Sequence, residues 1–129
     1  MTVISRSGSK SRRLIERGVG FVEVSLGSLN DGAFGWDTHQ NNFAAVKRLC
    51  GELDSGWSSL MRELAERGLL ESTTILWLSE FGRTPTAEGN NGREHHPFGF
   101  TMWMAGGGVR GGMVHGATDE FGWHSVENK

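Results

Sequence analysis

The sequence predicts an α/β protein with a mostly parallel sheet and flanking helices, on the strength of three stretches. GFVEVSL, residues 20–26, puts Val22, Val24 and Leu26 on one side, as a half-buried strand would. Between Phe43 and Ala65 the apolar residues track a single helical stripe. TTILWLS, residues 73–79, is apolar without alternation, the composition of a strand buried on both faces of a parallel sheet. Strand, helix and strand in that order make one βαβ unit, whose crossover should be right-handed.

Taken in order, residues 1–10 are polar and aperiodic and predict a frayed end. SRRLIERG follows as a short helix closed by Gly18. After the first strand, GSLNDGAFG is a loop by composition. The long helix carries Val46, Leu49, Cys50, Leu53, Trp57, Leu60, Met61 and Leu64 on its apolar face. Asn41 or Asn42 can cap its start, Gly68 can end it, and Glu63 and Arg67 form a favourable i,i+4 pair. Gly51 and Gly56 weaken it by up to about 1 kcal/mol each relative to alanine. The stretch after Glu80 has no helical period, and a parallel crossover normally needs a helix. The strand FTMWM at 100–104 is therefore expected to run antiparallel, its start beside the end of strand 73–79. AGGGVRGG is then a turn region; no GK[ST] follows it, so it is not a phosphate loop. Trp36, Trp57, Trp77 and Trp103 are most simply core.

The 129 residues suit one domain, assigned to 11–129 behind the frayed end. Charged residues make up 22%, and the net charge of −2 argues against nucleic acid or an anionic membrane as the main partner. A single cysteine, Cys50, excludes an internal disulfide, so any metal needs histidine and carboxylate ligands. Cys50 itself reads as a buried structural thiol rather than a nucleophile. SRRLIERGVG begins like a twin-arginine signal, but Glu16, Arg17 and Glu23 interrupt the apolar region such a signal requires. No window approaches the roughly 18 apolar residues of a membrane span. As written the chain carries no address and reads as cytoplasmic.

In open α/β sheets ligands bind at the carboxyl ends of the strands, which here directs attention to the loops GWDTHQNN and SEFGRTP. With the doublet in GREHHPFGF they bring Asp37, His39, Glu80, His95 and His96 to one edge. Mixed imidazole and carboxylate is a ligand set for zinc, manganese or iron. Each element also has a plainer reading. Asp37 and His39 can be a turn with a solvent-facing histidine. Glu80 can pair with Arg83. The doublet His95–His96, taken alone, can be a loop pair; on a strand, alternation turns one imidazole inward, toward a cation, and leaves its neighbour outside. Arg83 and Arg93 are candidates for holding an anionic oxygen. His115 and His124 have no evident partner. Neither a Ser-His-Asp order nor a GxSxG elbow supports a serine hydrolase.

The stretches RRLIERGVGFVEVSLG, GWDTHQNNF, LDSGWSSLMRELAERGLLESTTILWLSEFGRTP, GREHHPFGFTMWMAGGGVRGG and VHGATDEFG, in that order, resemble the bacterial domain of unknown function fifteen-oh-one, a sulfatase-like branch of the alkaline phosphatase superfamily. The resemblance covers roughly residues 11–127. It implies an α/β/α sandwich, two divalent-metal sites (zinc, manganese or calcium) and a small anionic ester of phosphate or sulfate as substrate. It makes Asp37 and His39 ligands of one metal through the WDTH motif. Glu80 stands where the superfamily usually has the aspartate of an Asp-His pair, with Phe81 replacing the histidine. His96, or else His95, falls at a ligand position.

Two departures qualify that picture. Nothing before residue 37 matches the strand that carries the superfamily's nucleophile, and the family continues past DEFG. The expectation is accordingly a truncated piece of a metal-dependent ester hydrolase, inactive alone and binding metal weakly, whose complete relatives are often exported to the periplasm. The alternative is a non-enzymatic remnant that binds metal or packs on another chain. Uncovered sheet edges would also favour self-association.

Overall fold

The computed structural model describes residues 4–25 and 35–128, and these form two compact units. The first comprises residues up to 38 together with 43–70; the second comprises 39–42 and 71 onward.

Among the described residues two helices make up most of the first unit, α1 (Ile4–Glu16) and α2 (Asn42–Glu66). The stripe foreseen on α2 is where the unit buries its apolar surface: Leu49, Gly56 and Leu64 are buried, and Leu49 and Leu64 are fully so. Their spacing of seven and eight keeps them on one helical face. Cys50 is exposed, so the thiol is not part of that core. Both helices end alike. The Gly18 amide donates to the Ile15 carbonyl and Val19 to Leu14, while Gly68 donates to Ala65 and Leu69 to Leu64. Each glycine takes a positive φ, +82° and +67°, which a side chain would disfavour.

Glu63 and Arg67 both reach α1. The Arg12 guanidinium donates to Glu63 at 2.8 Å and to Glu16 at 2.6 Å, Ser9 donates to Glu63 at 3.1 Å, and Arg67 meets Glu16 at 3.1 Å. These bonds, with the Arg12 one foremost, hold the Glu63 carboxyl below the usual glutamate range.

The second unit follows a 3-10 turn (Leu70–Ser72) and contains β1 (Ile75–Trp77), β2 (Gly82–Arg83), β3 (His95–His96), β4 (Trp103–Ala105), β5 (Ala117–Thr118) and β6 (Ser125–Glu127). They pair as three separate two-stranded antiparallel ribbons, β1 with β4, β2 with β3 and β5 with β6.

This overturns the expected mostly parallel sheet, and with it the α/β/α sandwich. A parallel neighbour for β1 would have to arrive from GFVEVSL, yet residues 21–25 have no regular structure and Phe21 is 81% exposed; Leu26 and the loop up to 34 lie outside the described residues. The partner of β1 is instead β4, with Ile75 opposite Ala105 and Trp77 opposite Trp103. That pairing is antiparallel and brings the start of the later strand to the end of the earlier one, as the missing crossover helix implied. The run 73–79 is also not buried on both faces. Ile75 is buried, but Leu76, Trp77 and Leu78 are exposed, as are Trp103 and Met104. Two of the four tryptophans predicted as core, Trp77 and Trp103, therefore lie opposite each other on an exposed ribbon. Of the stretch 1–10 expected to be frayed, residues 1–3 lie outside the described residues and α1 begins at Ile4. No helix among the described residues is long and apolar enough to cross a membrane.

Candidate functional site

The chemistry-bearing side chains of the second unit gather around a tight turn that sequence patterning did not reveal. Glu88 and Gly92 exchange backbone hydrogen bonds, Glu88 N to Gly92 O at 3.0 Å and Gly92 N to Glu88 O at 2.7 Å, closing a hairpin over residues 89–91. Opposed residues in such a pair share a face, as does the residue two further along. Glu88 and Glu94 therefore project on the same side.

Residues 39–42 lie against that hairpin. Asn41 and Asn42 donate their amides to the carbonyls of Asn90 and Asn91 at 2.9 and 3.1 Å. Two backbone amides just ahead of and at the start of α2 are thus satisfied by loop carbonyls. His39 is delivered by this contact to the two carboxylates. Its Nδ1 lies 3.2 Å from Glu88 Oε2 and 3.6 Å from Glu94 Oε1. Its Nε2 lies 3.2 Å from Nε2 of His95.

His95 comes from β3, where it pairs with Arg83 of β2, and its ring stacks on Phe81 at 4.1 Å between centroids and 25° between planes. Its amide donates to Glu94 Oε1 at 3.1 Å. That bond is the largest of the influences holding the Glu94 carboxyl below the usual glutamate range; the Glu88 carboxyl and the charges of His39 and His95 act in the same direction. His39, Glu88 and Glu94 each offer an atom within 4.8 Å of the others.

Alternation along β3 does divide the doublet, but the exposed member is the one that meets the other site residues. His96 is 3% exposed; its Nε2 donates to the Trp123 carbonyl at 2.6 Å, and its ring packs edge-on against Trp123 and Phe98. His95 is outward and faces His39.

The remaining sequence-derived candidates are distributed as follows. Glu80 is exposed just after β1 and does not enter the imidazole–carboxylate group. Arg83 is half-buried beside the site, its guanidinium carbon 5.7 Å from the Phe81 ring centroid and its Nη1 donating to the Arg93 carbonyl at 3.2 Å. Arg93 donates to the Gly92 carbonyl at 2.7 Å. Asp37 is exposed and belongs to the first unit. Glu88 and Glu94 are the residues that sequence reasoning missed. The signal available was EGNNG, a turn composition whose register sets both glutamates on one face.

A family model described as "Protein of unknown function (DUF1501)" matches residues 8–129. No curated protein and no solved structure matches the chain.

Proposed function

The chain belongs to the family of proteins of unknown function whose model spans residues 8–129, and within it we propose a divalent-cation site on His39 and His95 that serves the hydrolysis of sulfate or phosphate esters. The observation carrying this reading is the 3.2 Å approach of two Nε2 atoms, one of which belongs to an imidazole backed by a carboxylate. Two nitrogens at ordinary zinc–imidazole bond lengths and adjacent tetrahedral positions lie about 3.3 Å apart. Ligand histidines also characteristically give their other N–H to a carboxylate. His39 has Glu88 in that position. Imidazole donors favour zinc over the oxygen-seeking calcium and manganese.

A cation bound there supplies Lewis-acid polarisation of the ester oxygen and a water of lowered pKa. Glu88 accepts the Nδ1 proton of His39 and so keeps the Nε2 lone pair outward. Stacking on Phe81 fixes the plane of His95. Glu94 adds negative charge to balance the cation. Arg83, opposite His95 in the β2–β3 register, brings a guanidinium beside the site that can meet the anionic oxygens of the ester, one of its nitrogens also holding the Arg93 carbonyl.

A second reading, metal binding without catalysis, draws support from the openness of the site. The side chains of His39, Glu88 and Glu94 are 38%, 43% and 51% exposed, so little excludes water from a reacting centre. The test is turnover of 4-nitrophenyl sulfate and 4-nitrophenyl phosphate by the zinc-loaded chain. Hydrolysis abolished by chelation and by His39→Ala or His95→Ala supports the hydrolase. Stoichiometric zinc without turnover selects the non-enzymatic reading, and failure to bind zinc refutes both.

A further inference from the structure

We infer that Asp119 is a positioning residue for the His39–His95 pair, acting through the Trp123 carbonyl and His96; the inference rests on reading that pair as a cation site. The loop DEFGWH, residues 119–124, is folded around one carboxylate. Asp119 Oδ1 accepts the amides of Phe121 at 3.1 Å and Trp123 at 2.8 Å, and Oδ2 accepts the amide of His124 at 3.0 Å. Two backbone bonds close the same loop, Gly122 N to Asp119 O at 3.1 Å and Asp119 N to His124 O at 2.9 Å. With three amides on its two oxygens, the side chain fixes the peptide planes on either side of Trp123. A carboxylate accepting several backbone N–H bonds is held firmly ionised, and such charge-assisted bonds are roughly twice as strong as neutral ones.

What that loop presents to β3 is the Trp123 carbonyl. It accepts the Nε2–H of His96 at 2.6 Å, while the indole closes on the imidazole at 5.0 Å and 79°. Next along the chain, the Ser125 amide and hydroxyl both donate to the Phe98 carbonyl, at 2.8 and 3.3 Å, tying the segment after the doublet to the same loop. His96 is thereby gripped from the side opposite His95. On its other edge β3 pairs Gly82 with His96 and Arg83 with His95, and a Cβ on Gly82 would stand 2.7 Å from Phe100 Cβ, so β2 is packed closely against the chain that follows β3. Because neighbouring side chains on a strand project oppositely, fixing the inward imidazole fixes where the outward one points. The doublet then divides its labour: His96 is an anchor and His95 the cation-facing member.

A merely structural role for Asp119 would lower stability and leave the imidazole pair alone once folded. The positioning role predicts a change at that pair in a folded variant. The experiment compares the full chain with Asp119→Ala and Asp119→Asn, using long-range proton–nitrogen spectra of the 15N-labelled imidazoles without metal, then titration with Co(II). Far-UV circular dichroism verifies folding. In Asp119→Ala the His96 Nε2–H resonance should lose its protection, the His39 and His95 nitrogens should shift, and Co(II) affinity should fall about 10- to 100-fold, the usual effect of losing a supporting outer group. Asp119→Asn retains an acceptor oxygen for the Phe121 and Trp123 amides and should recover most of that loss. Should Asp119→Ala fail to fold, His96→Gln, which keeps an N–H for the Trp123 carbonyl, is expected to outbind His96→Phe by about tenfold or more. Equal Co(II) affinity in that pair, or His95 resonances and affinity unchanged in a folded Asp119→Ala, overturns the positioning role alone. Absence of Co(II) binding by the unaltered chain overturns the cation reading on which it rests.

Discussion

Gly92 is the position where one added carbon should disable the candidate site. Its φ is not in the left-handed region, so alanine meets no backbone penalty there, and the effect is purely steric. A Cβ on Gly92 would overlap the His39 carbonyl group and stand 2.8 Å from the Gln40 amide nitrogen, whereas ordinary contact begins at 3.4 Å. Backbone cannot rotate aside as a side chain can. Residues 39–42 must therefore retreat by more than half an ångström at Gln40 and further at His39. Such a move breaks the bonds from Asn41 to Asn90 and from Asn42 to Asn91. Two backbone hydrogen bonds at about 0.5–1.5 kcal/mol each, with overpacking strain of about 1–3 kcal/mol, give a destabilisation of about 2–6 kcal/mol. The same retreat carries His39 away from Glu88 and His95, so zinc affinity should fall with stability. Urea unfolding and zinc titration of Gly92→Ala measure both. Gly89→Ala is the control: Gly89 has φ +48° and no atom within 4 Å of an added Cβ, so it should cost about 1–2 kcal/mol of left-handed backbone energy and spare zinc affinity. If Gly92→Ala unfolds and binds zinc like the parent chain, the hairpin does not position His39 as described.

Leu64 is fully buried, and Leu64→Ala should cost about 2–5 kcal/mol in urea unfolding; a loss under about 1 kcal/mol would mean that α2 does not carry the core of its unit. The Asp119 carboxyl is held below the usual aspartate range, chiefly by the Trp123 amide and then by those of His124 and Phe121, and Glu63 is lowered chiefly by Arg12. A lowered native pKa contributes stability that is present above the unfolded value, near 4, and is lost as pH falls through the native value. The melting temperature should consequently hold through mildly acidic pH and drop below about 4; a rise on acidification over that range contradicts the assignment. Cys50 is exposed, so a thiol-disulfide reagent should modify the native chain fully without denaturant, and protection would place the thiol back in the core.

How far the sequence reveals these features depends on which interactions are local. The stripe on α2 and the glycine stops at Gly18 and Gly68 are set by neighbours within a few residues, and they fall where periodicity puts them. The antiparallel direction of β4 follows from the missing helical period between Glu80 and Gly99, which leaves no crossover helix. Burial of the run 73–79 depends on layers elsewhere. Its composition is equally that of a core strand and of the open β1–β4 ribbon, and the parallel reading failed there. The doublet shows the same division. Alternation separates His95 from His96, but which of them is inward is decided by Trp123, 27 residues away. Glu88 and Glu94 needed the register of a three-residue turn, which a one-residue slip would have reversed.

The most direct test of the cation site is a count of imidazoles on the bound ion. Pulsed electron paramagnetic resonance of the chain loaded with one equivalent of Cu(II), a probe for which imidazole is a strong ligand, resolves the remote ring nitrogens individually. Two coordinated imidazoles, reduced to one in His39→Ala and in His95→Ala and unchanged in Asp37→Ala, is the predicted result. A spectrum with no imidazole, or one that neither histidine substitution alters, would contradict it.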